Sequence, residues 1–297
     1  MLKRIIKVSI MGPNYRCYCI IICAIALLIA QCSLLNSASN KVVQLYHNVE
    51  INWTDQLITA KASSMPSITD DGTPVDRNTL ETISINYARS RSIDEARDNA
   101  IESLINALGI IKIDPYRTLG DCIAGDDYTQ KQLGLLTNDI KVRLKPHGTL
   151  ATQCVATFPM GKLLKLIPEA LPSRDIPVLP IKLPATDYTG LIIDTRGLKH
   201  TPMLFPSIFS EDGTEIFGKD FIDSRDAYRY GTVAYCYTDD TALRHKKAGR
   251  LPYYCAAVRL YNACPVIANP DLRKIIASNN TRNNLKKGNI IIIIDRE

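Results

Sequence analysis

The chain has 297 residues, of which 46% are hydrophobic and 22% charged, so it is long and apolar enough to bury a core and is not intrinsically disordered. Its formal net charge is +6, but the first 38 positions hold four basic residues and no acidic one. The rest of the chain contains 32 basic and 30 acidic residues. This near balance is not the net basic footprint of a nucleic-acid-binding domain, so no nucleic-acid partner is expected.

The N-terminus has the pattern of an export signal. Its basic residues are Lys3, Arg4, Lys7 and Arg16. An apolar run over residues 17–30 follows, with a length typical of the central part of a signal peptide and short for a membrane-spanning helix. We therefore predict that residues 1–40 are a signal peptide or membrane anchor. The rest of the chain is then exported, to the periplasm or to a membrane-associated position in the cell envelope.

Three processing outcomes are open for this segment. Signal peptidase could cut after Ala38 or Ser39, where small residues follow the apolar run. Lipoprotein processing could cut before Cys32, because residues 28–32 resemble a lipobox apart from Gln31, a position that is normally small. The uncut segment could instead remain as an anchor. Cys32 is therefore the candidate lipidation site.

Five further cysteines lie in the body of the chain. They are Cys122, Cys154, Cys236, Cys255 and Cys264. The envelope permits disulfides, but five is an odd number and the pairing cannot be derived from spacing, so buried free thiols are the alternative. No Cys-x-x-Cys pair occurs, which removes the basis for a thioredoxin-like or zinc-ribbon interpretation.

The first predicted domain covers residues 41–165. Residues 79–87 alternate and are rich in β-formers, which favours a strand. The sequence at 92–95 is that of a capping box, and apolar residues then recur at three- and four-residue steps to Leu108, which predicts a helix. Gly109 is expected to end it in the left-handed conformation. Further strands are predicted at residues 110–113, 141–145 and 149–158.

A proline-rich segment over residues 166–186 is predicted to link two domains. Its prolines are Pro168, Pro172, Pro177, Pro180 and Pro184. Proline lacks the backbone donor that a sheet needs and stiffens the chain, so this composition is typical of a linker.

The second predicted domain covers residues 187–297. Strands are expected at 191–193, 233–237 and 253–261, and helices at 239–247 and from Asn269. Asp212-Gly213 between two β-rich runs predicts a hairpin with a type I′ turn. Five consecutive isoleucines at 290–294 predict a strand covered on both faces. The expected fold class is α+β, with two small domains that each pack a helix on a mostly antiparallel sheet.

Residues 188–197 of the second domain resemble a recurring motif of bacterial envelope proteins, in which an apolar strand leads into Asp-x-Arg-Gly. A proline-bearing segment, an Asp-Gly hairpin and a terminal β-branched strand follow in the same order. The helix over residues 95–108 is similar to the N-terminal domain of the flagellar assembly protein FlgT and of the lipoprotein-20 family. The resemblance implies an envelope protein, often lipidated and sometimes flagellum-associated, and it implies no catalytic residues.

Asp194, Arg196 and Gly197 are the candidate site residues of that motif. We interpret them first as a structural turn, because an aspartate and an arginine two residues apart can brace a loop and glycine adopts conformations closed to other residues. A binding role for the three is the alternative.

Motifs of the common catalytic chemistries are missing from the sequence. It contains no Gly-x-Ser-x-Gly, no phosphate-binding loop and no His-Glu-x-x-His. Its four histidines are far apart and lack metal-ligand spacing. We therefore expect no enzymatic activity, no cofactor and no metal site.

Two functions remain as hypotheses. The first is a non-catalytic cell-envelope protein with a structural or assembly role, which contacts envelope proteins, or the membrane through its N-terminus. The alternative is a periplasmic binding module for a small molecule or glycan, with its site in an interdomain groove near the proline-rich segment.

Overall fold

The computed structural model describes residues 40–125, 127–167, 174–178 and 184–296. Residues 41–297 cluster into one compact unit, separate from residues 1–40. The predictions for the export segment, including Cys32, lie outside the described residues, as does most of the proline-rich segment. In the described part of the chain no helix combines the length and the apolar character needed to cross a membrane.

An antiparallel five-stranded sheet forms the first half of the unit. Its strands are β1 (Val43–Tyr46), β2 (Val49–Asn52), β3 (Leu57–Ser64), β6 (Lys141–His147) and β7 (Ala151–Pro159). They lie in the order β1-β2-β3-β7-β6, so β1 and β6 are the two edges. A two-stranded hairpin, β4 (Ser67–Ile68) and β5 (Pro74–Val75), lies between β3 and the long helix in the sequence.

Helix α1 (Ile85–Leu108) covers one face of this sheet and packs on β3 and β7. Its buried stripe contains Ala96, Ala100, Leu104 and Ala107. Alanine side chains are small, so the helix backbone can approach the sheet closely while Leu104 fills the remaining space. The apolar periodicity seen in the sequence is therefore the face that packs on the sheet.

Helix α1 begins earlier than the sequence predicts. Ser84 is its N-cap and its side chain accepts a hydrogen bond from the Tyr87 N–H. The predicted strand over residues 79–87 is therefore wrong: residues 85–87 are helical, and residues 79–84 make only one isolated bridge, Val75 to Thr82. The capping box at Ser92 is also wrong. Ser92 lies inside the helix and donates to the Ser64 carbonyl at 2.7 Å, while Glu95 accepts from the Ser64 hydroxyl at 2.7 Å. Both side chains are satisfied by β3, a contact that local sequence cannot show.

Two further sequence predictions for this half are wrong, and two are confirmed. Gly109 has φ −59° and is right-handed, so the left-handed cap is wrong. Residues 110–113 make one isolated bridge, Lys112 to Thr118, instead of a sheet strand. The carbonyls of Lys112 and Ile113 instead accept from Leu204 and Phe205 of the second half, at 2.9 and 2.8 Å. The strands predicted at 141–145 and 149–158 are confirmed as β6 and β7.

Short helices complete the first half. They are α2 (Leu119–Gly125), α3 (Asp127–Leu136), and two 3₁₀ helices, Thr137–Asp139 and Met160–Leu166.

A seven-stranded sheet forms the second half, in the order β10-β9-β13-β12-β8-β14-β11. Its strands are β8 (Gly190–Asp194), β9 (Ile208–Ser210), β10 (Glu215–Phe217), β11 (Ala234–Cys236), β12 (Pro252–Tyr261), β13 (Cys264–Ile267) and β14 (Ile290–Ile293). Its helices are α4 (Ser224–Tyr230), α5 (Asp239–Arg244), α6 (Asn269–Ala277) and α7 (Asn279–Lys286).

The α+β class is confirmed, and the two sheets differ in strand direction. The first sheet is antiparallel throughout. In the second, β11–β14, β14–β8, β8–β12 and β13–β9 are parallel pairs, and β9–β10 and β12–β13 are antiparallel. Strands that run in the same direction need a long crossover connection, and α5 lies in the one that joins β11 to β12. Short-range sequence patterns do not carry this information.

Strand β14 is covered on both faces, as its isoleucines predict. All four of its residues are buried, and it lies between β8 and β11. Ile290 and Ile292 belong to the main hydrophobic core, whereas Ile291 and Ile293 belong to a second cluster on the opposite face. The alternation follows from the two-residue period of a strand.

The Asp212-Gly213 hairpin is present between β9 and β10, but its turn is not type I′. Gly213 has φ +84°, and Asp212 is not among the residues with positive φ. The Gly213 N–H donates to the Ser210 carbonyl at 3.0 Å. The turn therefore combines an ordinary right-handed turn with one left-handed glycine.

The two sheets share one core. Trp53, after β2, packs edge-on against Tyr235 of β11 with ring centroids 5.8 Å apart. The Thr54 hydroxyl donates to the Tyr235 carbonyl at 2.6 Å. All five cysteines of the body are free thiols, and four of them are buried. Burial raises the pKa of the Cys236 thiol to about 12, which makes it unreactive at neutral pH.

Candidate ligand-binding cleft

The parallel strands of the second sheet end on one edge. β8 ends at Asp194, β14 at Ile293 and β11 at Cys236, and all three run in the same direction. In open sheets with parallel strands, ligands bind outside the carboxyl ends of the strands. A ligand site is therefore expected at this carboxyl edge.

The predicted Asp-x-Arg-Gly residues lie on this edge and brace one another. Arg196 Nε donates to Asp194 Oδ1 at 2.9 Å, and Arg196 Nη2 donates to Asp239 Oδ1 at 3.1 Å. The Tyr254 hydroxyl lies 2.6 Å from the Asp239 carboxylate and 3.0 Å from that of Asp194. The hydrogen bond from Arg196 holds the pKa of Asp194 below its usual range. The charges of this cluster are thus satisfied within the protein.

Gly197 continues the turn towards the last strand. Its φ is +82°, in the left-handed region that glycine occupies without strain. Its N–H donates to Asp295 Oδ2 at 2.8 Å, which fixes the chain just after β14. Asp194, Arg196 and Gly197 therefore join β8 to α5 and to the end of β14.

A cleft of about 1040 Å³ opens beside this turn, and we call it the carboxyl-edge cleft. Its volume is at the upper end of the range of small-molecule sites. The walls come from both halves of the unit. Its lining residues are Val42, Val43, Gln44, Leu45, Trp53, Ile110, Lys112, Lys199, His200, Thr201, Pro202, Tyr237, Ile294, Asp295 and Arg296.

The lining of the cleft is positively charged. Lys112, Lys199 and Arg296 are exposed cations in its wall, and Asp295 is the single carboxylate among the described lining residues. Asp295 already accepts the Gly197 N–H, and Arg296 lies over the Tyr237 ring at 5.4 Å from the centroid. Lys112 Nζ lies 3.4 Å from the Thr201 hydroxyl. A cleft with three cations and one occupied carboxylate attracts anions.

His200 lies in the wall as a buried, neutral imidazole. Its Nδ1 lies 2.7 Å from the Ala263 carbonyl, which can only accept, so the proton is on Nδ1. Its ring stacks on Tyr235 with centroids 5.8 Å apart. Nε2 is buried and has no hydrogen-bond partner in the described part of the chain. Burial lowers the pKa of His200 to about 4.

The carboxyl-edge cleft is not the groove expected near the proline-rich segment, because none of residues 174–178 and 184–186 lines it. A smaller cleft of about 240 Å³ is lined by Ile167 of that segment, so a groove site there stays a prediction. The N-cap of α5 is Thr238, whose side chain accepts a hydrogen bond from the Thr241 N–H.

Sequence reasoning missed the side chains that line the cleft. Lys199 and His200 follow the Asp-x-Arg-Gly turn directly, and Arg296 follows the isoleucine strand. Their positions just after two parallel strands were a usable signal. Lys112 had none, because it comes from a distant segment of the first half.

Comparison with known proteins bears on the second half of the chain. No curated protein matches the chain. The resemblance to the lipoprotein-20 and FlgT type therefore stays a prediction. A family model described as Treponema pallidum Tp0624, second domain, matches residues 190–296, from the start of β8 past the end of β14. The part of the chain that contains the Asp194–Arg196–Gly197 turn is thus similar to the second domain of Treponema pallidum Tp0624.

Proposed function

We propose that this chain is a non-catalytic cell-envelope protein that binds an anionic small molecule or acidic glycan in the carboxyl-edge cleft. One observation carries the proposal: Lys112, Lys199 and Arg296 line a cleft of about 1040 Å³ whose described lining contains one carboxylate, Asp295.

The walls favour a ligand with both charge and apolar surface. Trp53, Tyr237 and Ile294 supply aromatic and aliphatic area, and the three cations lie among them. Small-molecule sites combine such apolar walls with a few charged groups that set orientation. A sugar acid or sugar phosphate has a ring for the walls and an anion for the cations. Arginine is well suited to carboxylate and phosphate because its guanidinium donates two parallel hydrogen bonds.

The geometry supports binding in preference to proton-transfer chemistry. Asp194, Arg196 and Asp239 are bound to one another, and the pKa of Asp194 is lowered, so this carboxylate stays ionised at neutral pH. His200 stays neutral, and its free nitrogen is enclosed in the wall. A general acid or base needs a pKa near the working pH, and neither group has one.

Calorimetric titration with galacturonate and glucose 6-phosphate, beside neutral galactose and glucose, tests the proposal. We expect the anionic probes to bind and the neutral ones to bind far more weakly. The variant Lys112→Gln/Lys199→Gln/Arg296→Gln should lose at least about tenfold in affinity, since each charged hydrogen bond contributes about 1.5 to 3 kcal/mol.

The matched control is Lys141→Gln/Arg143→Gln/Lys145→Gln, which removes the same charge from exposed positions on β6 outside the cleft. It should bind the anionic probes as the wild type does. Equal losses in the two variants, or no binding of either anionic probe, would contradict a ligand site in the carboxyl-edge cleft.

The envelope location is supported by the N-terminal sequence pattern, and the mature N-terminus tests it. Mass spectrometry of the wild type and of Cys32→Ala should show either an acylated Cys32 that the variant lacks or a free N-terminus near Ser39 or Asn40. An intact Met1 in the membrane fraction would indicate an anchor. An intact Met1 in the cytosol would contradict export.

A further inference from the structure

The edge strand β6 is exposed along its whole length. All seven of its residues are exposed, and basic and apolar or proline residues alternate along it. Leu144 and Val142 pair with Cys154 and Ala156 of β7, which are buried on the side that α1 covers. Residues directly opposite in an antiparallel pair share a face, and neighbours along a strand alternate. Lys141, Arg143, Lys145 and His147 therefore project from the face opposite to α1.

The same outward face carries one more cation on β3. Lys61 pairs with Val155, which in turn pairs with Arg143, so Lys61 and Arg143 lie in one row across three strands. We call this surface the basic sheet face, formed by Lys61, Lys141, Arg143, Lys145 and His147. Its one carboxylate is Glu50, in the row of Thr59. None of its four Lys and Arg side chains has an ion-pair partner among the described residues.

Most residues between the charges of the basic sheet face are small and polar. The residues between the cations are Thr59, Ser63, Thr157, Val155 and Gln153. Side chains two apart on a strand are about 6.8 Å apart and neighbouring strands about 4.8 Å, so the charges spread over the surface of the sheet. Charges of one sign that are spread over several strands suit an extended polyanion.

We propose that the basic sheet face docks on the surface of an anionic phospholipid bilayer. Long lysine and arginine side chains on one face can reach lipid phosphates together, which a single pocket cannot do. The rows named above contain no Phe, Tyr or Trp, so the face lacks the stacking platform of single-stranded nucleic-acid binding. The proposal is independent of the ligand in the carboxyl-edge cleft, because none of these five residues lines it.

Vesicle co-sedimentation of the full chain tests this docking. The vesicles are phosphatidylcholine alone, and phosphatidylcholine with phosphatidylglycerol. The measured quantity is the gain in partition coefficient that phosphatidylglycerol produces, because the apolar N-terminal segment contributes equally to every variant. A basic residue near an anionic surface strengthens binding about fivefold. Lys141→Gln/Arg143→Gln/Lys145→Gln should therefore reduce this gain by up to about a hundredfold.

The charge-matched control is Lys246→Gln/Arg250→Gln/Lys274→Gln, at exposed positions outside both the basic sheet face and the carboxyl-edge cleft, and it should keep most of the gain. Equal losses in the two variants would overturn the proposal, because net charge alone would then explain binding. The proposal would also be overturned if the β6 variant lost as much of its partition coefficient on pure phosphatidylcholine vesicles. If single-stranded DNA displaced the wild type from vesicles but did not bind the β6 variant, the face would belong to nucleic acid instead.

Discussion

Replacing Lys247 by Met is expected to lower the free energy of unfolding by about 3 to 5 kcal/mol. Lys247 is 3% exposed, and its Nζ donates to the carbonyls of Gly231, Thr232 and Gly288 at 3.1, 2.8 and 2.8 Å. Thr232 precedes β11 and Gly288 precedes β14, so one ammonium joins the amino ends of two parallel strands. Methionine has similar length and no donor, and it would leave three buried carbonyls without this partner.

Urea unfolding followed by circular dichroism measures this loss, with Lys246→Met as the matched control. Lys246 is exposed, so its replacement should change the free energy of unfolding by less than about 0.5 kcal/mol. Burial lowers the pKa of Lys247 to about 7, whereas the three carbonyls favour its charged form. If both variants unfolded at the wild-type urea concentration, the three hydrogen bonds would contribute nothing to stability.

Lowering the pH from 7.5 to 5 is expected to remove about 2 kcal/mol of stability through His200 alone. Burial lowers the pKa of His200 in the folded protein to about 4, from an ordinary value of 6.5. Between these values the unfolded chain binds a proton that the folded chain does not. The stability that the neutral His200 contributes to the folded protein is therefore fully present above pH 6.5, and it is lost as the pH falls towards 4.

His245 acts in the same direction. Burial lowers its pKa, and its Nδ1 accepts from the Lys247 N–H at 3.2 Å while Nε2 lies 3.1 Å from the Thr54 carbonyl. This geometry needs the neutral imidazole, because a protonated Nδ1 could not accept. The wild type should therefore lose more stability by pH 5 than His200 accounts for.

The variant His200→Asn separates the two histidines. Asparagine can donate from its amide to the Ala263 carbonyl, but it does not titrate and lacks the ring that stacks on Tyr235. We expect it to be less stable than the wild type at pH 7.5 and to approach the wild type as the pH falls to 5. His147→Asn, at an exposed position on β6, should follow the wild-type pH curve. Parallel curves for the wild type and His200→Asn would show that His200 has an ordinary pKa.

Local sequence was sufficient wherever neighbours in the chain decide the structure. The apolar periodicity of α1, the Asp-Gly hairpin, the Asn269-Pro270 helix start and the buried isoleucine strand were all predicted. Each depends on side-chain period or on the conformational preference of one or two residues. The Asp-x-Arg-Gly turn was also predictable from local sequence, because Asp194 and Arg196 are two residues apart and form their hydrogen bond within the turn.

Tertiary structure decided the contacts between segments that lie far apart in the chain. Ser92 has the sequence of a helix cap but donates to Ser64 of β3, because a hydroxyl inside a packed helix takes the nearest buried acceptor. Parallel pairing in the second sheet arises from crossovers that no short pattern encodes. Lys112 enters the cleft from the first half of the chain, and Lys199, His200 and Arg296 enter from the second. The sequence by itself therefore determined the fold class, the main helix, the buried strand and the turn beside the cleft. The packing of the two sheets into one unit places cations that lie far apart in the chain around a common cleft. The strand order leaves β6 at an edge of its sheet, where its basic residues are exposed.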